Sequence, residues 1–220
     1  MKKDVREVVF PSQLLGETKR FRAGAGTFVE NGKIYAERLG ILNIKDKVIS
    51  VIPLKGNYEP KAGDIVIGIV VDVSISSWLV DVNAIYPALL HVNEVPWHVE
   101  LGDTARYLDY GDIVMARILY SNGPDKVALT LKDRGLHKIN GGTIIDIEPT
   151  KVPRVIGKNG SMISMLKRYT NCRIYVGKNG RIWVDGEVDG IRKIEKAVRL
   201  IERDAHTYGL TKRVLDLLKT

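Results

Sequence analysis

Residues 153–176 read PRVIGKNGSMISMLKRYTNCRIYV. Val155 and Ile156 before the tetrapeptide GKNG, and Ile163 and Leu166 after it, are spaced as the apolar faces of two helical segments. CRIYV then alternates as a strand, with Cys172, Ile174 and Val176 on one face and Arg173 and Tyr175 on the other. The tetrapeptide, Gly157 to Gly160, therefore joins two helices. Its glycines let the backbone turn sharply and let a ligand approach without a Cβ in the way. The second helix starts where the loop ends, so its free N–H groups face the loop, and a helix N-terminus favours anions. Lys158 adds a mobile cation at the centre. Together these make a phosphate-binding element.

GKNG occurs again at Gly177 to Gly180, between CRIYV and RIWVD. There Asn179-Gly180 is hairpin-turn chemistry, and the second copy reads as a structural turn. Outward from the two copies, GGTIIDIEP is a strand. From Glu187 onward Ile191, Ile194, Val198 and Ile201 mark one apolar helical face. The order is β-α-α-β-β-α, followed by a short final helix over 211–218. Trp183 shares parity with Arg181 and is expected to pack against a neighbouring domain rather than stack a base.

Upstream, GDIVIGIVVDVSISSWLVDV (63–82) and GDIVMARILYSNGPDKVALTLKD (111–133) repeat one phrase: Gly-Asp, a β-branched strand, a turn, a further strand. Ser121 to Pro124 is the second turn. With Ala88 to Val92, five strands without a long helix predict an OB-type Greek-key barrel. The first ~58 residues read as short strands, with Asn31-Gly32 suited to a type I′ hairpin and GAGTF at Gly24 to Phe28 as a flexible turn. They form a small β domain.

The chain of 220 residues is long enough for two or three small domains, and 45% hydrophobic residues supply their cores. No apolar run is long enough to span a bilayer and no signal peptide is evident, so a soluble, cytoplasmic protein with no membrane partner is expected. One cysteine, Cys172, excludes an internal disulfide, and with His91, His98, His137 and His206 it makes no zinc ribbon. No metal or cofactor is expected. The net charge of +8 is uneven: residues 136–220 carry 17 Lys+Arg against 9 Asp+Glu, whereas residues 61–135 carry 6 against 10. A basic C-terminal third points to a polyanion.

VIGKNGSMISMLKRYTNCRIYV resembles the core of a type I KH domain, whose Gly-x-x-Gly loop clamps a single-stranded nucleic-acid backbone. The two Gly-Asp repeats resemble an OB barrel of the ribosomal-protein S-one type. The whole chain is similar to the KH-bearing cap subunits of the archaeal RNA exosome, the ribosomal RNA-processing protein four family. GKNGRIWVDG resembles the G-x-N-G signature of that family, where it is structural. The resemblance implies a multidomain β plus α+β fold. Its parts are an N-terminal ring-docking β domain over 1–58, an S-one-type five-stranded barrel over 59–135, a type I KH domain over 138–205 and a helical tail over 206–220. It also implies that three such caps sit on a hexameric ring of RNase PH-like subunits and feed single-stranded, A-rich RNA, 3′ end first, to a phosphorolytic 3′-to-5′ exonuclease. An RNA-binding translation or ribosome-assembly factor outside the exosome is the alternative.

The RNA-contact candidates are Gly157, Lys158, Asn159 and Gly160, with Arg154 and Lys151 upstream. Ile156, Ile163 and Ile174 are candidates for an apolar groove floor, with plain core packing as the other reading. In the barrel they are Trp78, His91, Arg117, Lys132 and Arg134; His91 matches a position often close to RNA. Ser76 and Ser77 stand where the family commonly has an aromatic-Gly pair, so weak stacking is expected there. Asp64 and Asp112 open strands in Gly-Asp turns, a structural use. No nucleophile elbow or P-loop is present, and no catalytic residue is assigned.

Overall fold

The computed structural model describes residues 7–219 except Leu101, Pro124 and His206. The last two belong to the expected turn and tail and lie outside the described residues. The chain divides into two units, Met1–Gly56 and Asn57–Thr220.

The first unit contains only strands among the described residues: β1 (Val8–Val9), β2 (Leu14–Glu17), β3 (Arg22–Ala23), β4 (Thr27–Glu30), β5 (Lys33–Ala36), β6 (Gly40–Lys45) and β7 (Val48–Pro53). They form a four-stranded sheet, β1-β6-β7-β3, and a three-stranded sheet, β2-β5-β4. Asn31 and Gly32 turn the β4–β5 hairpin with φ of 49° and 73°, the paired positive values of a type I′ turn. Val9, Ile34, Ala36, Ile49 and Val51 are its buried side chains, while Phe10, Leu14, Ile44 and Ile52 remain exposed.

The second unit opens with the barrel. Its strands are β8 (Ile65–Val73), β9 (Ser77–Asp81), β10 (Ala88–His91), β11 (Ile113–Ser121) and β12 (Val127–Thr130). They run in the order β12-β10-β9-β8-β11, and pairing of β12 with β11 closes the barrel. β10 and β12 are parallel; the other neighbours are antiparallel. A one-turn helix, α1 (Thr104–Tyr107), lies between β10 and β11, and β13 (His137–Ile139) adds to the outer side of β11. The interior is filled by Trp78, Leu90, Ile118, Leu129 and their neighbours. Asp64 and Asp112 serve the turns. Asp64 accepts from the Tyr58 hydroxyl at 2.9 Å, and Asp112 accepts from the Asp109 N–H at 2.7 Å. Burial pushes the Tyr58 hydroxyl pKa up and the Asp64 charge adds to this, so the phenol stays a donor.

The remainder follows the expected order: β14 (Thr143–Asp146), α2 (Val152–Ile156), α3 (Ser161–Thr170), β15 (Arg173–Val176), β16 (Arg181–Asp185) and α4 (Val188–Asp204), then α5 (Leu210–Lys219). The sheet order is β14-β16-β15, all antiparallel. Alternation splits its two faces. Ile145, Ile174, Ile182 and Val184 join Leu166 of α3 and Ile194, Val198 and Ile201 of α4 in one core. Leu210, Val214 and Leu218 of α5 join the same core, so the final helix is part of this domain's interior. Ile144 and Trp183 point the other way and pack into the barrel core. Trp183 is buried there, its indole N–H donating to the Gly141 carbonyl at 2.8 Å.

The second GKNG makes the rest of this seam. Along β8, Asp64 and Val70 bond to β11, so the even-numbered amides face that strand. The N–H and C=O of Ile67 face the other way, beyond the last β8–β9 pair, Ile69 with Asp81. The Asn179 side chain fills the gap. Its Oδ1 accepts from Ile67 N–H at 3.2 Å, and its Nδ2 donates to the carbonyls of Ile67 at 2.8 Å and Val82 at 3.0 Å. Lys178 N–H donates to the Ile65 carbonyl at 2.9 Å, and Asn83 Nδ2 donates to the Asn179 carbonyl at 2.8 Å. Arg181 pairs with Asp81 and donates from its guanidinium to the Asp81 carbonyl at 2.6 Å. A Cβ at Gly177 would lie 2.9 Å from Ile67 N, which explains the glycine. The turn is structural, as expected, but it is not a two-residue I′ turn: Gly180 has φ of 82°, whereas Asn179 is not among the positive-φ residues. The asparagine is there for its amide, which takes the place of a missing strand.

Candidate nucleic-acid interface

The first GKNG takes a different backbone. Gly157 (φ 74°), Asn159 (φ 52°) and Gly160 (φ 77°) all have positive φ, and the loop projects Lys158 and Asn159 into solvent. At Gly157 a Cβ would sit 2.8 Å from both N and Cβ of Met162, so glycine is required by space as well as by φ. α3 begins directly after the loop with Ser161. No side chain caps it and no acidic residue lies in its first turn. Its positive end is thus left for an external anion, next to the Lys158 ammonium.

Arg154 is half-buried on α2, just before the loop. Ile156 and Ile163 are half-buried apolar side chains on the two sides of the loop, packed against the core with part of their surface open. Ile174 belongs to the core instead, fully buried between sheet and helices. Lys151 is corrected as well. It is buried (7% exposed) where the chain turns into α2, so it is not the exposed phosphate partner expected.

In the barrel the expectation for Trp78 fails. Its ring is fully buried and its indole N–H donates to the Leu108 carbonyl at 2.8 Å, so it packs the interior and presents no face to a base. The parallel β10–β12 pairing, Leu90 opposite Leu129, carries His91 and Lys132 to the same end of the barrel. Arg117, opposite Thr130, and exposed Arg134 lie close by in the chain path. His91 is partly engaged, its Nδ1 accepting from Asn93 N–H at 3.1 Å, and Arg117 is 3.3 Å from Asp133. Lys132 and Arg134 are the exposed cations of this end.

A second set was not singled out from the sequence. On β15 the Tyr175 ring stacks on Trp183, centroids 5.2 Å apart at 18°. Lys167 Nζ of α3 lies 6.0 Å from the Tyr175 centroid, and the Arg173 guanidinium 5.7 Å from that of Trp183. The signal was the strand alternation that put Arg173 and Tyr175 on one face. Among the described residues, no group of three or more His, Cys, Asp or Glu is placed to hold a metal ion.

Comparison with known proteins follows this division. Residues 6–55 match the family described as exosome RNA binding protein RRP4 N-terminal domain, residues 57–123 the RRP4 S1 domain, and residues 142–190 the KH domain. Exosome complex component Rrp4 of Methanosarcina acetivorans is 49% identical over 97% of this chain and 82% of its own length. The chain belongs to the Rrp4 family of exosome components. Its Thermoplasma volcanium relative of the same name is 43% identical over 98% of this chain and 91% of that protein. Among solved structures, a candidate exosome complex RNA-binding protein matches with a TM-score of 0.68 and 36% identity, over 74% of this chain and 96% of that one. The Rrp4-type order of N-terminal, S1 and KH domains is therefore present along one chain. No described helix is long and apolar enough to cross a membrane.

Proposed function

We propose that this chain is a non-catalytic RNA-binding cap subunit of an archaeal exosome. It captures single-stranded, A-rich RNA and delivers the 3′ end to a phosphorolytic 3′-to-5′ exonuclease, a hexameric ring of RNase PH-like subunits that carries three such caps in the cytoplasm. The observation that carries this reading is the loop Gly157–Gly160. It holds an exposed lysine and asparagine over the uncapped, acid-free start of α3, beside a half-buried Ile156 and Ile163. That arrangement suits a phosphate backbone with bases turned to an apolar floor. The barrel residue His91 and the barrel cations Arg117, Lys132 and Arg134 extend the RNA surface, with Arg154 beside the loop. Residues 1–58 are the ring-docking part. Phe10, Leu14, Ile44 and Ile52 are more exposed apolar side chains than a small solvated β domain needs, and protein–protein contact accounts for them.

The test is a titration of labelled single-stranded A-rich RNA with phosphate and magnesium present, each sample also run on a denaturing gel. Binding of intact RNA that weakens steeply with salt supports the reading. Shortened RNA in a contaminant-free sample refutes the non-catalytic assignment. Failure to co-purify with ring subunits refutes the cap assignment in favour of an RNA-binding factor outside the exosome.

A further inference from the structure

Where the barrel meets the edge strand β15 there is a cleft of about 350 Å³, bordered by Ile65, Ile67, Met115, Tyr175 and Lys178. Trp183 backs the Tyr175 ring and is itself buried, yet Tyr175 stays 40% exposed. His137 meets the ring edge-on, centroids 6.2 Å apart at 76°. The phenol is thus backed by Trp183 and met by His137, with Lys167 Nζ over the ring at 6.0 Å, and its exposed remainder borders the cleft. A ring fixed in this way loses little further freedom when another flat group stacks on it.

The surroundings select the kind of flat group. Lys167 lies 6.0 Å from the ring centroid and Lys178 lines the cleft, so an anion is favoured on their side. Asp64 also lines the cleft, its carboxylate accepting from Tyr58, so an anion is disfavoured there while a ring amine is not. A nucleobase with its phosphate directed at the lysines meets both conditions. The volume lies at the small end of the ~300–1,000 Å³ usual for small-molecule sites, which suits a single base. Lys167 is on the same helix that starts at the GKNG loop, and at ~1.5 Å per residue it lies about 10 Å along the axis from Gly160.

We infer that this cleft is a base-stacking subsite for the RNA strand, with Tyr175 as the platform and Lys167 and Lys178 as phosphate partners. It takes a nucleotide beyond the four that a KH groove clamps. The inference rests on the RNA-binding reading above and adds a second, separable site to it.

The experiment compares an oligo(A) tetranucleotide and decanucleotide by fluorescence anisotropy, on the full chain and on Tyr175→Ala and Tyr175→Phe. Tyr175→Ala should weaken the decanucleotide by about tenfold and leave the tetranucleotide unchanged, and Tyr175→Phe should behave as the parent. A decanucleotide carrying 5-iodouridine should photo-crosslink to the peptide containing Tyr175, which reads the contact without any variant. Parent protein that binds neither oligonucleotide overturns both this inference and the RNA-binding reading. Parent binding with no effect of Tyr175→Ala and no crosslink overturns the subsite alone. Equal weakening of both lengths, or saturable binding of AMP that Tyr175→Ala abolishes, also overturns it, in favour of a structural role or a free-nucleotide pocket.

Discussion

The two GKNG copies make a sharp test, because the same residue in the same tetrapeptide has opposite surroundings. Replacing Asn179 by Ala removes three hydrogen bonds and leaves Ile67 N–H and Val82 C=O facing the methyl group that remains, while Ile67 C=O keeps only the longer bond from Arg181 at 3.5 Å. Asn179 is fully buried, so water does not simply take over. At ~1 kcal/mol per bond, with ~1–3 kcal/mol for a buried group left unpaired, the loss is about 4 kcal/mol. For a unit of this size ~2–4 °C per kcal/mol applies, which lowers the midpoint by about 8–16 °C. Asn159→Gly is the matched control. Asn159 is exposed with φ of 52°, a conformation glycine adopts freely, so its midpoint should stay within about 2 °C. Thermal unfolding followed by tryptophan fluorescence isolates the relevant unit, because Trp78, Trp97 and Trp183 all lie in Asn57–Thr220. Equal shifts for the two variants, or a shift under about 2 °C for Asn179→Ala, would refute the assignment of the second copy to the seam.

Three further outcomes follow from the same geometry. Lys158→Asp with Asn159→Asp should weaken single-stranded RNA at least tenfold without moving the thermal midpoint. It should also flatten the log–log salt dependence by ~0.7 for each phosphate no longer neutralised, measured by anisotropy across a salt series. Gly157→Ala should cost ~2–3 kcal/mol in urea unfolding through the forbidden φ and the clash with Met162, whereas Gly160→Ala, with its nearest atom at 3.9 Å, should cost only the ~1–2 kcal/mol of backbone strain. Deleting α5 removes Leu210, Val214 and Leu218 from the core at ~1.5–3 kcal/mol each, comparable to a domain's whole stability. Limited proteolysis should then cut the KH region rapidly, and a protease-resistant product would contradict the packing described.

How far the fold could be read from the residues depended on how local the governing rule was. The hairpin at Asn31-Gly32, the five barrel strands and the β-α-α-β-β-α order all rest on patterns that close within a few residues, and each is present. Trp78 was legible too. Trp78, Val80 and Val82 form one apolar face against Ser77, Leu79 and Asp81, and that alternation places the indole inside. Lys151 and Asn179 were not legible in the same way. What buries Asn179 is Ile67, more than one hundred residues upstream in another domain. Tyr175 falls between these cases: its face followed from alternation, but the stack beneath it requires the register that sets Tyr175 opposite Trp183.

The seam bears directly on how the proposed RNA surface would work. If barrel and KH were joined by a free linker, a strand held by the GKNG loop would meet the barrel cations at an effective concentration diluted by every orientation the linker allowed. Instead the Asn179 amide, the Arg181–Asp81 pair and the Trp183 ring fix the KH sheet to β8 and the barrel core. Lys158, Tyr175 and Lys132 then belong to one body, and a strand long enough to reach between them loses no linker entropy in doing so. Asn179 is fully buried, yet it fixes the sheet that carries the first GKNG to the barrel. Its contribution to binding is therefore expected to scale with RNA length, whereas that of Lys158 and Asn159 should be felt by even the shortest strand.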